Sequence, residues 1–327
     1  MNESAPTITV VMPLYNKMRE VSRAIDSVLA QTFGDFELVV VDDGSTDGGS
    51  QLIESYTDPR IRMIRQTNAG VSAARNRGIA EARTELVAFL DADDEWAPMF
   101  LETIVNLREK YPTSRVFATS YAFCYQEQHA RQAILKAQFP PNGHNGILSN
   151  YFKVAAHSDP PICSSAVAVS KEAIASVGGF PSKIIAGEDL LTWARLAARY
   201  DIAYSKIALA KFWAPAKMGD RPTRIPQQPD MVAEGLNELL EVAPHVHING
   251  LREYIAVWHR MRAIVYLKLN RGSDARQEIR RAYEHCGINI RLCIMQAISI
   301  LPGRLPSSMQ QVLSRGLDLA RSIASQG

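Results

Sequence analysis

Cysteine is scarce and scattered. The 327 residues include four, at Cys124, Cys163, Cys286 and Cys293, with no C-x-x-C pair and no histidine cluster beside them. That spacing argues against a zinc site, and a chain this long has no need of a disulfide framework. A reducing cytosol is the expected setting. Long apolar runs are missing as well. Ile8–Tyr15 is strand-sized, and Leu292–Leu301 is interrupted by Gln296 and Ser299 and stopped by Pro302. Neither approaches the ~20 residues of a membrane-spanning helix. The start, Met1-Asn2-Glu3-Ser4, lacks the basic segment of a signal peptide. No G-x-G-x-x-G follows a strand and no G-x-x-x-x-G-K-[ST] occurs, which argues against dinucleotide and P-loop chemistry. Nor is one sign of charge in excess: the formal net charge is +2, so a dedicated nucleic-acid binder is not expected.

What is present is an ordinary globular composition, 46% hydrophobic and 21% charged, with its charge unevenly spread. Residues 251–327 hold twelve Lys/Arg and five Asp/Glu, a net of +7 that leaves −5 for residues 1–250. The acidic body alternates strand and helix patterns. Strands are expected at Ile8–Pro13, Glu37–Val41, Ile61–Arg65 and Leu86–Leu90, and helices at Met18–Gln31, Gly49–Tyr56, Gly70–Ala82 and Pro98–Lys110. This predicts an α/β fold, a mostly parallel sheet with helices on both faces, whose ligands bind at the carboxyl ends of the strands. Further strands are expected at 116–125, 166–169 and 202–212, further helices at 171–177 and 188–200, and irregular chain over 126–160. Four prolines fall in 214–229, and beyond them the pattern is helical at roughly 230–242, 250–269, 273–285, 289–300 and 306–325. The expected division is therefore a body over 1–215, a Pro-rich linker over 216–229 and an all-helical basic region over 230–327.

Carboxylates carry the chemical signal. Asp42-Asp43 closes one expected strand and Asp91-x-Asp93-Asp94 closes another. Acids gathered at neighbouring strand ends repel one another unless donors or a cation neutralise them, and carboxylates with water and phosphate oxygens are the usual shell of Mg²⁺ or Mn²⁺. Asp42-Asp43-Gly44-Ser45 also fits an ordinary solvated turn.

The motifs Val11-Met12-Pro13-Leu14-Tyr15-Asn16, Ser27–Thr32 and Val41–Asp47 resemble those of family 2 inverting glycosyltransferases. So do Asn68-x-Gly70-x-x-x-Ala74-Arg75-Asn76-x-Gly78, Leu90–Asp94, Gly178-Gly179-Phe180 and Gly187-Glu188-Asp189. The resemblance spans about residues 7–213 in the family's order. It implies a GT-A fold, a nucleotide-sugar donor, a UDP-sugar first among them, and a divalent metal, Mn²⁺ or Mg²⁺. It further implies Asp93 as metal ligand with Asp94 as helper, and Asp91 near the ribose or the metal's water shell. With Asp91, the donor would meet Pro13, Ala92, Asp43 at the base edge with Asp42 beside it, and a stacking Tyr15. Arg75 would meet the diphosphate or the base, or else be an exposed cation on an Ala-rich helix. Asp189, with Glu188 beside it, would be the general base, a position where an acid also serves as a helix N-cap. Lys217 and Arg221 lie where relatives carry a loop that covers the diphosphate; the histidine common in that loop is absent here, and both cations also fit a solvated linker.

The Q-x-x-R-W motif and membrane spans of processive members are also absent, so transfer of single sugars is expected. The acceptor would be a glycan or lipid-linked sugar in cell-surface polysaccharide or glycoconjugate synthesis. The basic helical region fits three uses: peripheral contact with the inner face of the membrane, a packed subdomain with solvated arginines, or a partner or homo-oligomer surface. The rival to an enzyme is a transferase-like body without activity that works through its helical region.

Overall fold

The computed structural model describes residues 6–125, 130–135, 143–213, 224–242, 247–287 and 290–300. The chain runs through β1 (Ile8–Leu14), α1 (Val21–Leu29), β2 (Phe36–Asp42), α2 (Gly49–Glu54), β3 (Ile61–Arg65), α3 (Val71–Glu81), β4 (Leu86–Phe89), β5 (Glu95–Trp96) and α4 (Phe100–Lys110). It continues with β6 (Val116–Cys124), β7 (Ala130–Gln132), β8 (Asn145–Leu148), α5 (Tyr151–His157), β9 (Val167–Ser170), α6 (Lys171–Ser176), α7 (Glu188–Ala197) and β10 (Ile202–Trp213). Four helices follow: α8 (Met231–Val242), α9 (Leu251–Lys268), α10 (Gly272–Cys286) and α11 (Ile290–Ile298).

The sheet has the order β3-β2-β1-β4-β9-β6-β10-β5, with β7 on β6 and β8 on β10. Strands β1 to β4 are mutually parallel. Every residue of β1 and β2 is buried, as continuous apolar strands covered on both faces must be. Beyond β4 the sheet is mixed: β9 enters antiparallel between β4 and β6, and β10 then runs parallel to β6. Helix α1 presents Val21, Ala24, Ile25 and Val28 to the sheet, the stripe expected of its period. Helix α3 lies unusually close to β1. A Cβ at Gly78 would stand 2.3 Å from Val11 Cγ1, so only glycine admits the approach.

One expectation changes. The stretch 126–160, expected to be irregular, contains β7, β8 and α5 among its described residues; α5 is too short to show a convincing period, and the strands form by pairing onto β6 and β10. Among the described residues, the helical region shares a core with the body. Leu191 and Trp193 of α7 share one buried cluster with Leu236 of α8 and with Ile255 and Trp258 of α9. Lys217, Arg221 and the expected helix over 306–325 lie outside the described residues.

Candidate active site

Three loops meet at the carboxyl ends of parallel strands. Parallel register sets Pro13 opposite Val41 and Leu14 opposite Asp42, so the chain leaves β1 and β2 at one level. Asn16 ties the two exits together: its amide donates to Ser45 Oγ (3.1 Å) and its side-chain oxygen accepts from the Thr46 amide (2.8 Å). Tyr15 stands on this loop half exposed.

Asp42 and Asp43 are almost wholly buried. Asp42 accepts from the Ser45 amide (2.9 Å) and from Ser50 Oγ, which shapes its own turn. Asp43 reaches the next loop, accepting from Gln66 Nε2 (2.7 Å) and from the Ala69 and Gly70 amides (2.9 and 2.8 Å). This accounts for the acids that a solvated turn would have left in water.

After β4, the acids divide. Asp93 is the open one: its carboxylate holds Lys17 Nζ at 2.6 Å, with side chains 37% and 29% exposed, and Arg23 Nη2 bonds its carbonyl. Burial opposes the Lys17 charge, but the Asp93 carboxylate more than offsets this and raises the Lys17 pKa. Asp94 is turned inward, against the expectation of a helper ligand. One oxygen accepts from Ser165 Oγ and the other from the Trp213 amide (3.0 Å). Burial, then the Asp93 and Asp91 charges, push its pKa well up. Ala92 between them is buried.

Arg75 is neither at a solvent-exposed helix face nor free for a diphosphate. Its side chain is fully buried, with Nη2 2.8 Å from Asp91 and Nη1 3.2 Å from Glu188. Burial alone would weaken its charge; Asp91, then Glu188 and Asp189, outweigh that and hold it firmly protonated. The Glu188 pKa is pushed up to about 8, by burial first and then by Asp189, with Arg75 opposing. Its Oε2 is buried without a hydrogen-bond partner. Asp189 sits at the second position of α7 and is buried. One oxygen accepts from Ser164 Oγ (3.2 Å), the other from the Leu190 amide (2.7 Å). Burial raises its pKa, and Arg75 pulls it back.

Some motif residues prove to be joints. The Asn76 side chain on α3 brackets Phe180, donating to its carbonyl (2.7 Å) and accepting from its amide (2.9 Å). A Cβ at Gly179 would stand 2.7 Å from Asn76 Oδ1. Ser164, Ser165, Lys17 and Arg23 are additions to the expected site. Ser164 and Ser165 precede β9 in a stretch with no distinctive pattern, and only folding brings them under Asp189 and Asp94. Lys17 and Arg23 stand out in the sequence only as cations near the β1 exit.

Residues 9–175 match the family model described as Glycosyl transferase family 2. Among relatives, an uncharacterized glycosyltransferase of Rickettsia felis is 32% identical over 200 residues, covering 60% of this chain and 31% of that protein. An uncharacterized glycosyltransferase of Nostoc sp. is 48% identical over 103 residues, covering 31% of this chain and 32% of its own. The chain thus spans about a third of the length of these relatives. Among solved structures, Staphylococcus aureus TarS 1–349 in complex with UDP-GlcNAc aligns with a TM-score of 0.65 at 17% identity, covering 97% of this chain and 89% of that one. A mannosyltransferase, PcManGT of Pyrobaculum calidifontis, in complex with GDP-Man and Mn²⁺, gives 0.59 at 18% identity, covering 98% and 86%. At such identities the likeness is one of fold, in agreement with the expected α/β architecture carrying a helical C-terminal region.

Proposed function

The chain belongs to glycosyl transferase family 2, and from that premise we propose that it moves one sugar from a nucleoside-diphosphate donor, a UDP-sugar first, to a hydroxyl of a glycan or lipid-linked acceptor, with inversion. The observation that carries this is the guanidinium of Arg75, which joins Asp91 to Glu188. Through it the loop expected to meet the donor and the helix that bears the expected base become one site, although about a hundred residues separate them in sequence.

In this reading Asp189 takes the proton from the acceptor hydroxyl. Its burial raises its proton affinity toward working pH, where a general base is most effective. Ser164 Oγ and the Leu190 amide hold the carboxylate in one orientation. Asp43 braces the turn against which the base edge of the donor would lie, and Tyr15 offers a ring to stack on it. Asp93, with Asp91 beside it, would hold a divalent ion: hard carboxylate oxygens suit Mg²⁺ or Mn²⁺, and the Asp93 oxygens already draw a cation in Lys17. Such an ion supplies charge to the leaving diphosphate. An inactive transferase-like body is not favoured, because the expected acids are all present and the matched family is one of transferases.

No helix among the described residues is long and apolar enough to cross a membrane. We place the chain in the cytoplasm, with α11 as its contact to the inner membrane face, since Ile290 and Ile294 are exposed there beside Arg291; cosedimentation with anionic vesicles tests this. Elsewhere in the region arginines are used internally, as Arg262 and Arg276 show. The central test is a panel of nucleotide sugars assayed with and without Mn²⁺. Metal-dependent release of the nucleoside diphosphate from one donor, lost in Asp189→Asn with nucleotide binding retained, supports the assignment; full turnover in Asp189→Asn removes it.

A further inference from the structure

A second charged cluster lies away from these acids. Asp230, His259 and Glu278 bring ligand atoms within 4.8 Å of one another, a spacing that suits a metal. Arg262 already fills the place. Its Nε lies 2.9 Å from Asp230 and 3.2 Å from Glu278, and His259 Nδ1 lies 2.7 Å from the other Glu278 oxygen. Arg281 adds a contact to Glu278 at 3.2 Å. The carboxylates are thus compensated without an ion, and a divalent cation would have to displace Arg262. Burying such a set costs desolvation that the pairing only partly returns, so the question is what it holds.

It holds Trp258. The indole Nε1 donates to both oxygens of Asp230, at 3.1 and 3.0 Å. The far edge of the same ring rests on Gly187, where a Cβ would stand 2.7 Å from Trp258 Cη2. Gly187 has φ +86°, a left-handed conformation that favours glycine, and it is the residue on which α7 begins. The next two residues are Glu188 and Asp189. A second strap reaches the same stretch: the Gln227 side chain accepts from the Ile185 amide (3.0 Å) and donates to the Lys183 carbonyl (2.9 Å), while Arg262 Nη2 holds the Gln227 carbonyl (3.0 Å). One turn earlier on α9, buried Tyr254 packs on Phe152 and feels the Asp189 charge, which, after burial, raises the pKa of its hydroxyl.

We propose that the helical region is a brace for the catalytic base, with Trp258 as the positioning residue that, anchored by Asp230 and Arg262, fixes the Gly187 backbone and so the direction of the Asp189 carboxylate. This rests on Asp189 being the base. It gives the helices, which lie outside the matched family segment, a part in the chemistry of the body.

The test uses the full chain and the donor that turns over fastest in the nucleotide-sugar panel. Trp258→Leu is expected to lower kcat about 10–100-fold, the range in which misplacement by about an ångström acts, while affinity for that donor's nucleoside diphosphate, by calorimetry, changes less than twofold. The acid limb of the kcat profile should move to lower pH, because a loosened Asp189 gains water and loses the burial that raises its pKa. Asp230→Asn, which keeps the shape and drops the anion, should show the same pattern more weakly, and Trp258→Phe, which keeps a ring on Gly187, should recover part of the loss. Unchanged kcat and acid limb in Trp258→Leu and Asp230→Asn overturn the proposal, and so does loss of nucleoside-diphosphate binding in step with kcat in both, which marks general unfolding. Asp189→Asn runs beside them: full turnover there brings down the base assignment, and a lost turnover with unaffected Trp258 and Asp230 variants brings down only the brace.

Discussion

Replacing Arg75 with methionine removes a cation shared by buried Glu188 and partly buried Asp91. Arg75 is fully buried, the Glu188 side chain is 1% exposed and the Asp91 side chain 14%, so water cannot take over the role of the guanidinium at Glu188. Removing one partner from a buried ion pair costs about 3–5 kcal/mol, and that is the expected loss in urea unfolding near pH 9. The loss should shrink toward pH 6. The folded Glu188 pKa is raised, from 4.5 to about 8. Between those values the folded protein keeps a proton that the unfolded chain has released, so stability falls as pH rises. Without Arg75 the main opposing influence is gone, the folded pKa climbs further and the pH window extends upward. Glu188→Gln in the Arg75→Met background should return a large share of the loss at pH 9 and little at pH 6. If Arg75→Met is as stable as the parent at pH 9, or if Glu188→Gln rescues nothing, the Arg75–Glu188 pair does not organise the site as described.

Three further outcomes are expected. Lys17→Gln takes a competing cation off Asp93, and should tighten Mn²⁺ binding without nucleotide by roughly 3–5-fold, as the loss of a partly exposed pair worth up to about 1 kcal/mol would; titration of the Mn²⁺ paramagnetic signal measures it, and equal affinities refute it. Asp43→Ala leaves the Ala69 and Gly70 amides without their acceptor, so hydrogen exchange at those amides should quicken and stability fall by about 1–3 kcal/mol. Gly78→Ala forces β1 and α3 apart at Val11 and should cost about 1–3 kcal/mol by urea unfolding, with Val11→Ala in the same chain returning part of it.

Alternation of strand and helix patterns over residues 8–110 is local information, so the parallel half of the sheet and its helices are legible in the amino-acid sequence alone. Asp42, Asp43, Asp91 and Asp93 are legible for a related reason: acids placed directly after apolar strands must lie at one edge of a parallel sheet. Direction of a side chain is not local. Asp93 and Asp94 are neighbours of one type, yet one opens toward Lys17 and the other is turned onto Ser165 and the Trp213 amide, partners 71 and 119 residues away. Arg75 shows the same limit, since an Ala-rich helix suits a solvated arginine until Asp91 and Glu188 converge on it. Gly187, Asp230 and Trp258 go furthest. By sequence they are a glycine before a helix, an acid at another helix start and an aromatic in a third helix. Only packing of α9 against the start of α7 makes one device of them, because contact between residues far apart in the chain is set by how whole elements fill a shared core and not by any pattern within each.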